Sequence, residues 1–237
     1  MGALDRKEEM IELTDVTFLS INGSTDTDMF LHALQYSQTK IKPKKSVLVS
    51  WEKPSIPYVD IEFHKIDKIL SKDEYSKFLI SNMNKYFDTK YMLMIQDDGY
   101  ILNPRLWTNE FLEYDYIGAP WPRSFFGGCR YILQGNGGFS LRSKRFVDKL
   151  KTLIFEWESF GKPPEDVFSC VCMRSILEGQ GFRWAPLDIA KRFSTEWPIP
   201  ELGSTDGSDS FGFHCSGDFP SKVNLNLAKE YYLQETE

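Results

Sequence analysis

Short apolar runs alternate with helix-like stretches along the first hundred residues. The runs DVTFLSING, KKSVLVSW, VDIEFHKI and KYMLMIQ have the length and composition of buried strands. Between them, TDTDMFLHALQYSQ and SKDEYSKFLISNMNKYF carry the spacing and capping residues of helices, and Ser71 precedes Glu74 as in a capping box. Strands that alternate with helices predict an α/β fold with a mainly parallel, doubly wound central sheet.

The pattern is less regular after residue 104. RLWTNEFLEY predicts a helix, YDYIGAPWP a strand entering a Pro-rich loop, and GNGGFSLRSKRFVDKL a Gly-rich turn, a short strand and a helix. PPEDVFSCVCMRSILEGQGFRWAP predicts a helix that begins at proline and acids and ends at glycine, followed by a strand. Because neither a repeat nor a change in composition divides the chain, we predict one domain over residues 1–237.

Composition and charge narrow the classes of partner. With 237 residues, of which 41% are hydrophobic, the chain can bury one sizeable core. Its net charge of −6 and pI near 5.3 argue against a broad basic surface, so we expect no nucleic-acid partner. The start MGALDRKEEMIELTD does not fit a secretory signal, and no apolar stretch has transmembrane length, so we expect a soluble, cytoplasmic protein.

The cysteines do not indicate a metal or disulfide framework. Their positions lack the paired C-x-x-C spacing of a zinc site, and a cytoplasmic location disfavours disulfides. We therefore expect free thiols at Cys129, Cys170, Cys172 and Cys215.

Two adjacent acids, Asp97 and Asp98, directly follow the apolar run KYMLMIQ. In a doubly wound sheet, ligands bind beyond the carboxyl ends of the strands, so these side chains are placed to face a ligand crevice. Adjacent carboxylates can hold Mg²⁺ or Mn²⁺ together with phosphate oxygens. Asp98-Gly99 is also a common turn dipeptide, and the pattern leaves both interpretations open.

A second pair of acids, Glu165 and Asp166, follows two prolines at the predicted start of a helix. The helix dipole favours acids at this position whether or not they have a function. A carboxylate fixed at a rigid helix end could also act as a general base that takes a proton from an attacking hydroxyl.

Two further segments could contact a ligand. GNGGFS, residues 135–140, places glycines around Asn136; such a loop lets a ligand approach the backbone, although a tight hairpin would use the same residues. His214 could bind a metal ion or a phosphate from its loop, or be solvated without a role. The chain contains no P-loop, G-x-G-x-x-G, G-x-S-x-G or H-E-x-x-H motif, which argues against the enzyme classes that depend on them.

Taken in order, the motifs MIQDDG, YDYIGAPW, GNGGFSLRS, EDVFSCV, WAP with AKRFSTE, and FGFH resemble those of a glycosyltransferase family of bacteria and large DNA viruses long labelled a domain of unknown function. The resemblance covers roughly residues 90–215, and the ordered set is more specific than any single motif. It implies a GT-A fold that binds a nucleotide-diphosphate sugar through a divalent cation, Mn²⁺ or Mg²⁺. A glycan or glycoprotein would be the acceptor.

The resemblance also implies roles for the two acid pairs. The Asp-x-Asp-type motif reads Gln96-Asp97-Asp98, so Asp98 inherits the metal role, and Gln96 in place of the first acid leaves fewer anionic ligands. EDVFSCV is similar to the acid-bearing helix of inverting β-1,3-galactosyltransferases, which implies Asp166, in preference to Glu165, as the catalytic base.

The resemblance implies further residues that bind the nucleotide-sugar donor, the acceptor or the metal ion. The first loop would lie beside the nucleotide base or ribose through Asn22, Gly23 and Ser24, and His214 would be an additional metal ligand with Asp97. The implied acceptor or sugar pocket consists of Trp121, Asn136, Gly137, Gly138 and Phe139. Trp121 and Phe139 equally suit the core, and Arg142 could meet a phosphate or pair with an acid of the next helix.

The resemblance thus divides the predicted domain into an N-terminal extension (1–14), a nucleotide-binding half (15–104) and an acceptor-binding half (105–237). A sugar-nucleotidyltransferase is an alternative, although SINGSTDTD lacks the basic residues that its first loop normally carries. A catalytically silent glycan-binding module is another, and retaining chemistry also stays open because a fold does not fix stereochemistry.

Overall fold

The strands follow the predicted apolar runs closely. A computed structural model describes residues 10–126, 133–203 and 209–214. In chain order, the strands are β1 (Ile11–Asn22), β2 (Ile41–Ser50), β3 (Glu62–Lys65), β4 (Tyr91–Ile95), β5 (Gly99–Ile101), β6 (Tyr116–Ile117), β7 (Pro120–Trp121), β8 (Leu133–Gln134), β9 (Phe139–Ser143), β10 (Ser194–Thr195) and β11 (Gly212–His214).

A central sheet combines strands from both halves of the chain. Its order is β3-β2-β1-β4-β9-β6; the first four strands are parallel, and β9 runs antiparallel to β4 and to β6. Two smaller sheets have the orders β10-β11-β5 and β7-β8. The predicted α/β fold with a mainly parallel central sheet is confirmed.

The helices pack on both faces of the central sheet. They are α1 (Thr27–Lys40), α2 (Lys72–Asn82), α3 (Lys144–Lys151), α4 (Ile154–Ser159), α5 (Glu165–Val167), α6 (Arg174–Gly179) and α7 (Leu187–Phe193). The predicted cap of α2 is present, because the Ser71 side chain accepts from the Glu74 N–H, while Glu74 accepts from the Leu70 N–H. No helix in the described ranges is long and apolar enough to cross a membrane.

The core divides into two hydrophobic clusters, one on each face of the central sheet. Neighbouring residues of a strand alternate between them: Leu93 and Ile95 belong to one cluster, and Met92 and Met94 to the other. This alternation follows from the two-residue period of a strand. Helix α1 contributes to the first cluster, and α2 and α3 contribute to the second.

Several local predictions were wrong. RLWTNEFLEY forms two short 3-10 turns, because Thr108 caps a new turn by accepting from the Glu110 N–H. The long helix after Pro164 is interrupted by a π-helical segment at Phe168–Cys172, which buries three consecutive residues. The strand predicted after it is a single bridge between Tyr116 and Trp184.

The predicted extension over residues 1–14 is too long, because β1 begins at Ile11 and pairs there with Ile41 of β2. Cys170 and Cys172 are free thiols, as expected. Cys129 and Cys215 lie outside the described residues.

Candidate active site

The candidate site residues meet at the edge where the central parallel strands end. β1 ends at Asn22 and β4 at Ile95, and the loop before the antiparallel strand β9 arrives at the same edge. This arrangement follows from the register, since Ile95 lies opposite Phe139. The turn after β4 and the GNGG loop are thus neighbours, and the Gln96 N–H donates to the Gly138 carbonyl at 2.9 Å.

Asp97 and Asp98 occupy a tight turn between β4 and β5. The Gly99 N–H donates to the Gln96 carbonyl at 3.1 Å, so the turn interpretation of this segment is correct. The turn also presents side chains to a partner, because Asp98 Oδ1 lies 3.0 Å from His214 Nε2. Burial, and then the neighbouring Asp98 carboxylate, raise the pKa of Asp97 to about 6.

His214 reaches the turn through the small sheet. β11 pairs with β5 so that His214 lies opposite Gly99. Its Nε2 is also 3.2 Å from Gln96 Oε1, and its Nδ1 is 3.5 Å from Glu196 Oε1. Burial alone would lower the pKa of His214, but the carboxylates of Asp98 and Glu196 raise it to about 10. His214 is therefore not a freely solvated loop residue.

The glycines of the GNGG loop make room for side chains. A Cβ at Gly135 would lie 1.9 Å from the Trp121 ring, and a Cβ at Gly138 would lie 2.0 Å from the His214 ring. Asn136 has a φ of 70°, and its Oδ1 accepts from the Gly138 and Phe139 N–H groups. The loop is a tight turn before β9, so its amides at Gly138 and Phe139 are already used.

Gly137, by contrast, holds the candidate base. Its N–H donates to Asp166 Oδ2 at 3.0 Å, and the Val167 N–H donates to Asp166 Oδ1 at 2.8 Å. Burial raises the pKa of Asp166, although these two hydrogen bonds oppose the shift by stabilising the carboxylate. The residue keeps partial solvent exposure. An oriented carboxylate with a raised pKa is suited to accept a proton.

Glu165, the other acid of this pair, is only 3% exposed. Its Oε1 accepts from Arg142 Nη1 at 2.7 Å, and Arg142 Nε donates to the Ser140 hydroxyl at 3.0 Å. Arg142 therefore pairs with an acid, as one of the two alternatives predicted, but the acid lies on α5 and not on the next helix, α3. Burial raises the pKa of Glu165, and Arg142 opposes that rise. Such a buried ion pair does not leave Glu165 available to a substrate, and the structure contradicts its assignment as a catalytic residue.

The two aromatic residues predicted to contact an acceptor are buried. Phe139 is fully enclosed, with Phe193 and Phe211 among its neighbours. Trp121 is 2% exposed, and its Nε1 donates to Glu196 Oε2 at 2.7 Å. Both predictions of direct acceptor contact were wrong, because Phe139 and Trp121 pack into the two hydrophobic clusters of the core.

The first loop is organised from within. The Asn22 side chain is fully buried, and its Oδ1 accepts from the Ser24 and Thr25 N–H groups. A Cβ at Gly23 would crowd Tyr75 and Ile69 at 3.1 Å. Of the three donor residues predicted in this loop, Ser24 is the one that is exposed. Asn22 and Gly23 thus stabilise the conformation of the loop, and the Ser24 side chain is exposed to solvent.

Tyr75 and Glu196 belong to the site, and the sequence analysis missed both. Tyr75 donates to the Ile21 carbonyl at 2.8 Å and accepts from Gln96 Nε2 at 3.0 Å, which links the first loop to the aspartate turn. Glu196 ends the segment AKRFSTE, whose position among the ordered motifs was the available signal. Tyr75 carried no signal beyond its place in an amphipathic helix.

Few of the described side chains could coordinate a divalent cation. Within residues 10–126, 133–203 and 209–214, no three His, Cys, Asp or Glu side chains form a group that could hold a metal ion. Asp98 Oδ1 and Gln96 Oε1 each lie next to His214 Nε2. A carboxylate, an imidazole and an amide oxygen are donors that Mn²⁺ accepts, so these residues fit a cation whose remaining ligands come from a bound diphosphate or water.

Three comparisons with known proteins bear on this arrangement. The structure resembles that of an active-site mutant of LgtC, a glycosyltransferase, with a TM-score of 0.54, 12% identity, and coverage of 92% of this chain and 95% of that one. This likeness shows a glycosyltransferase-like fold. A search of curated proteins finds no match.

Two further solved structures show weaker likeness. One is a glycosyltransferase involved in glycosylation of the major capsid of PBCV-1, with a TM-score of 0.48, 14% identity, and coverage of 92% of this chain and 98% of that one. The other is the apo-form glycosyltransferase GlyE of Streptococcus pneumoniae TIGR4, with a TM-score of 0.49, 13% identity, and coverage of 94% of this chain and 60% of that one.

A family profile matches residues 59–214, a range that contains the aspartate turn, the GNGG loop, Asp166 and His214. The matched range also includes β3 and α2, which lie before residue 90. The chain belongs to the family described as "Protein of unknown function (DUF5672)".

Proposed function

We propose that this protein transfers a sugar from a nucleotide-diphosphate sugar to a hydroxyl group of a glycan or glycoprotein acceptor, with inversion at the anomeric carbon and with the assistance of Mn²⁺ or Mg²⁺. The glycosyltransferase-like fold supports the reaction class. The local chemistry of the site supports the finer statements.

The observation that carries the proposal is the position of two acidic sites on either side of one loop. Gly137 binds the Asp166 carboxylate, and Gly138, the next residue, packs against the His214 ring that contacts Asp98. A sugar transfer needs one site for the diphosphate and another for the acceptor proton, close enough to act on the same anomeric carbon. A loop with a structural role alone would not require an acidic site on each of its two sides.

In this proposal Asp166 is the general base. Its carboxylate takes the proton of the acceptor hydroxyl while the hydroxyl oxygen forms a bond to the anomeric carbon. The bond from that carbon to the donor's diphosphate oxygen breaks at the same time, and its electron pair leaves with the diphosphate. The hydrogen bonds from Gly137 and Val167 keep the carboxylate oriented through the step.

The donor lies at the other acidic site. Asp98 and His214, with Gln96 beside them, would hold a divalent cation, which neutralises the charge that develops on the departing diphosphate. Asp97, which has a raised pKa, and the exposed Ser24 complete the side of the site that faces the nucleotide.

A thermal-shift screen tests the donor and the cation. UDP-, GDP-, ADP- and dTDP-sugars are added with and without Mn²⁺, because a ligand that binds only the folded state raises the midpoint of unfolding, Tm. We expect one nucleotide to raise Tm strongly when Mn²⁺ is present, and Asp98→Asn to abolish that increase while leaving Tm in buffer within a few degrees. Glu158→Gln, on the surface, should retain the full increase.

A second variant tests the base. Asp166→Asn keeps the size of the side chain but cannot accept the proton, so it should preserve the donor-induced rise in Tm and lower transfer at least 100-fold. NMR of the product formed by the unmodified protein gives the anomeric configuration. Full transfer activity in Asp166→Asn would move the base to another residue.

Two other outcomes would favour the alternatives. Synthesis of a nucleotide sugar from a nucleoside triphosphate and a sugar 1-phosphate would identify a nucleotidyltransferase. Glycan binding without any response to nucleotide sugars would identify a catalytically silent module.

A further inference from the structure

We propose that Glu196 is a positioning residue, which holds the His214 imidazole against Asp98 and is itself fixed by the indole of Trp121. The inference deepens the function proposed above and rests on it for its consequence in catalysis. The positioning itself can be measured without donor or metal.

The small sheet aligns the three residues. β10 and β11 are parallel, with Thr195 opposite Phe213. The residues that follow this pair, Glu196 just beyond β10 and His214 within β11, are therefore neighbours. On its other side β11 pairs with β5, where His214 lies opposite Gly99 and next to Asp98. The order β10-β11-β5 therefore places the imidazole between two carboxylates.

The two oxygens of Glu196 have different partners. Oε2 accepts from Trp121 Nε1 at 2.7 Å, and Oε1 lies 3.5 Å from His214 Nδ1. Glu196 is 7% exposed, and a buried carboxylate without compensating partners is strongly unfavourable. If the only task of residue 196 were to accept from the indole, a neutral amide oxygen would be sufficient. The negative charge of Glu196 is therefore explained by its contact with the His214 imidazole.

His214 is directed by this contact. Nδ1 faces Glu196 Oε1 at 3.5 Å, and Nε2 faces Asp98 at 3.0 Å and Gln96 at 3.2 Å, so each nitrogen of the metal-free imidazole has an acceptor oxygen in front of it. An imidazole that binds a cation through one nitrogen is commonly held by a carboxylate at the other, which fixes its tautomer and its orientation. Glu196 supplies that carboxylate here.

Trp121 completes the arrangement from the other side. Its ring fills the space that a side chain at Gly135 would take, so the indole N–H has a fixed direction. His214 similarly occupies the space left open at Gly138. The GNGG loop thus packs against both rings. It therefore helps to fix Trp121, which donates to Glu196, and His214, which Glu196 orients.

The test compares Glu196→Gln with the unmodified protein by ¹⁵N NMR of histidine-labelled, metal-free samples. The chain has three histidines, so His214→Gln assigns the signals of His214. Trp121 and His214 face different oxygens of Glu196, so a glutamine in the same position would turn an NH₂ group towards one of them. We expect the Nδ1 and Nε2 shifts of His214 to change, and those of His32 and His64 to stay.

The same variants are then titrated with Mn²⁺. Glu196→Gln should weaken Mn²⁺ binding by about 10–100-fold, as loss of a carboxylate behind a metal-binding histidine commonly does. Trp121→Phe, which removes the indole N–H but keeps a ring, should shift both the NMR signals and the Mn²⁺ affinity in the same direction by a smaller amount. Glu158→Gln is the control for loss of one carboxylate elsewhere.

The outcomes separate this inference from the proposed function. Unchanged His214 shifts in Glu196→Gln, with Mn²⁺ affinity within twofold of the unmodified protein, would overturn the positioning role even if sugar transfer is demonstrated. Changed His214 shifts in a protein that binds neither Mn²⁺ nor nucleotide sugars would support the positioning role and refute the proposed function. Trp121→Phe decides the question if Glu196→Gln fails to fold.

Discussion

At the scale of single residues, the folded protein disfavours the ionised form of Asp97. Asp98 contacts His214 and keeps 41% of its side chain exposed, whereas burial and the Asp98 charge disfavour the ionised form of Asp97. The pKa of Asp97 is about 6 in the folded protein, compared with an ordinary value of 3.8. Asp97 therefore stabilises the fold in its protonated form, fully below about pH 4 and less as the pH rises to about 6.

The replacement Asp97→Asn should for this reason stabilise the metal-free protein near pH 7, by about 1–2 kcal/mol after allowance for solvent screening. The gain should shrink as the pH falls from 6 towards 4, since the native side chain then becomes neutral too. Urea unfolding at several pH values in the presence of a chelator measures the difference. Asp67→Asn removes an exposed carboxylate and controls for net charge, and a gain that is constant across this pH range would contradict the prediction.

A second prediction concerns Gly138, where any side chain would meet the His214 ring. Gly138→Ala should displace the imidazole from Asp98, destabilise the fold by about 1–3 kcal/mol and remove Mn²⁺ binding. Gly179, in helix α6, has open space at its Cβ position, so Gly179→Ala should stabilise by up to about 1 kcal/mol and leave Mn²⁺ binding unchanged. Denaturant unfolding and Mn²⁺ titration of the two variants check both effects. Equal behaviour of the two alanines would show that His214 can move without consequence.

At the scale of elements, the Arg142–Glu165 pair joins strand β9 to the start of helix α5. Both side chains are buried, and Asp166 follows Glu165 directly. The contact therefore fixes the end of the helix that carries the candidate base.

Loss of one partner of this pair should be costly. Glu165→Leu leaves a buried guanidinium without its carboxylate and should destabilise by about 3–5 kcal/mol, whereas Arg142→Met combined with Glu165→Leu should recover most of that loss. Chemical denaturation of the single and double variants measures the coupling between the two residues. The exposed Lys77–Glu158 pair is the control, and Glu158→Gln should change stability by less than about 0.5 kcal/mol. A double variant no more stable than Glu165→Leu alone would contradict an ion pair that acts as a unit.

Elements with a strong local signal were predictable from the sequence. The runs at β1, β2 and β4 are apolar enough to fix both strand and sheet type, and Ser71 marks the start of α2. The irregular elements were not predictable in the same way. The π-helical segment at Phe168–Cys172 depends on the burial of three consecutive residues in the core, which no local sequence pattern specifies. The burial of Trp121 depends on Glu196, which lies 75 residues further along the chain.

The candidate site shows the same division. The roles of Asp98, Asp166 and His214 stay predictions from the ordered motifs, but the structure brings Asp98 and His214 into contact and places Asp166 beside the GNGG loop. Phe139 was misassigned because a ring that could stack on a sugar is indistinguishable in sequence from a ring that fills the core. Tyr75 escaped notice because a hydrogen-bonding link between two loops requires no motif.

At the scale of the whole molecule, the predicted nucleotide-binding and acceptor-binding halves share one sheet. β4 of the first half pairs with β9 of the second along five residue pairs, and the two hydrophobic clusters each draw residues from both halves. Neither half can bury its apolar surface without the other.

We therefore expect thermal unfolding to occur in one cooperative transition. Circular dichroism and tryptophan fluorescence should give coincident curves, because secondary structure and the buried indoles are lost together. Differential scanning calorimetry should give a calorimetric enthalpy equal to the van't Hoff enthalpy. Two separated transitions would show that residues 15–104 and 105–237 are independent units, contrary to the prediction of a single domain.

The late position of His214 in the chain determines when the aspartate turn can be completed during translation. Gln96 precedes its histidine partner by 118 residues, a length that takes a ribosome on the order of ten seconds to translate. During that interval a nascent chain contains Asp97 and Asp98 as neighbouring negative charges without the imidazole that faces them. Completion of the aspartate turn is thus a late event of biosynthesis, and a chain whose translation stops before β11 lacks the site however well its first strands have folded.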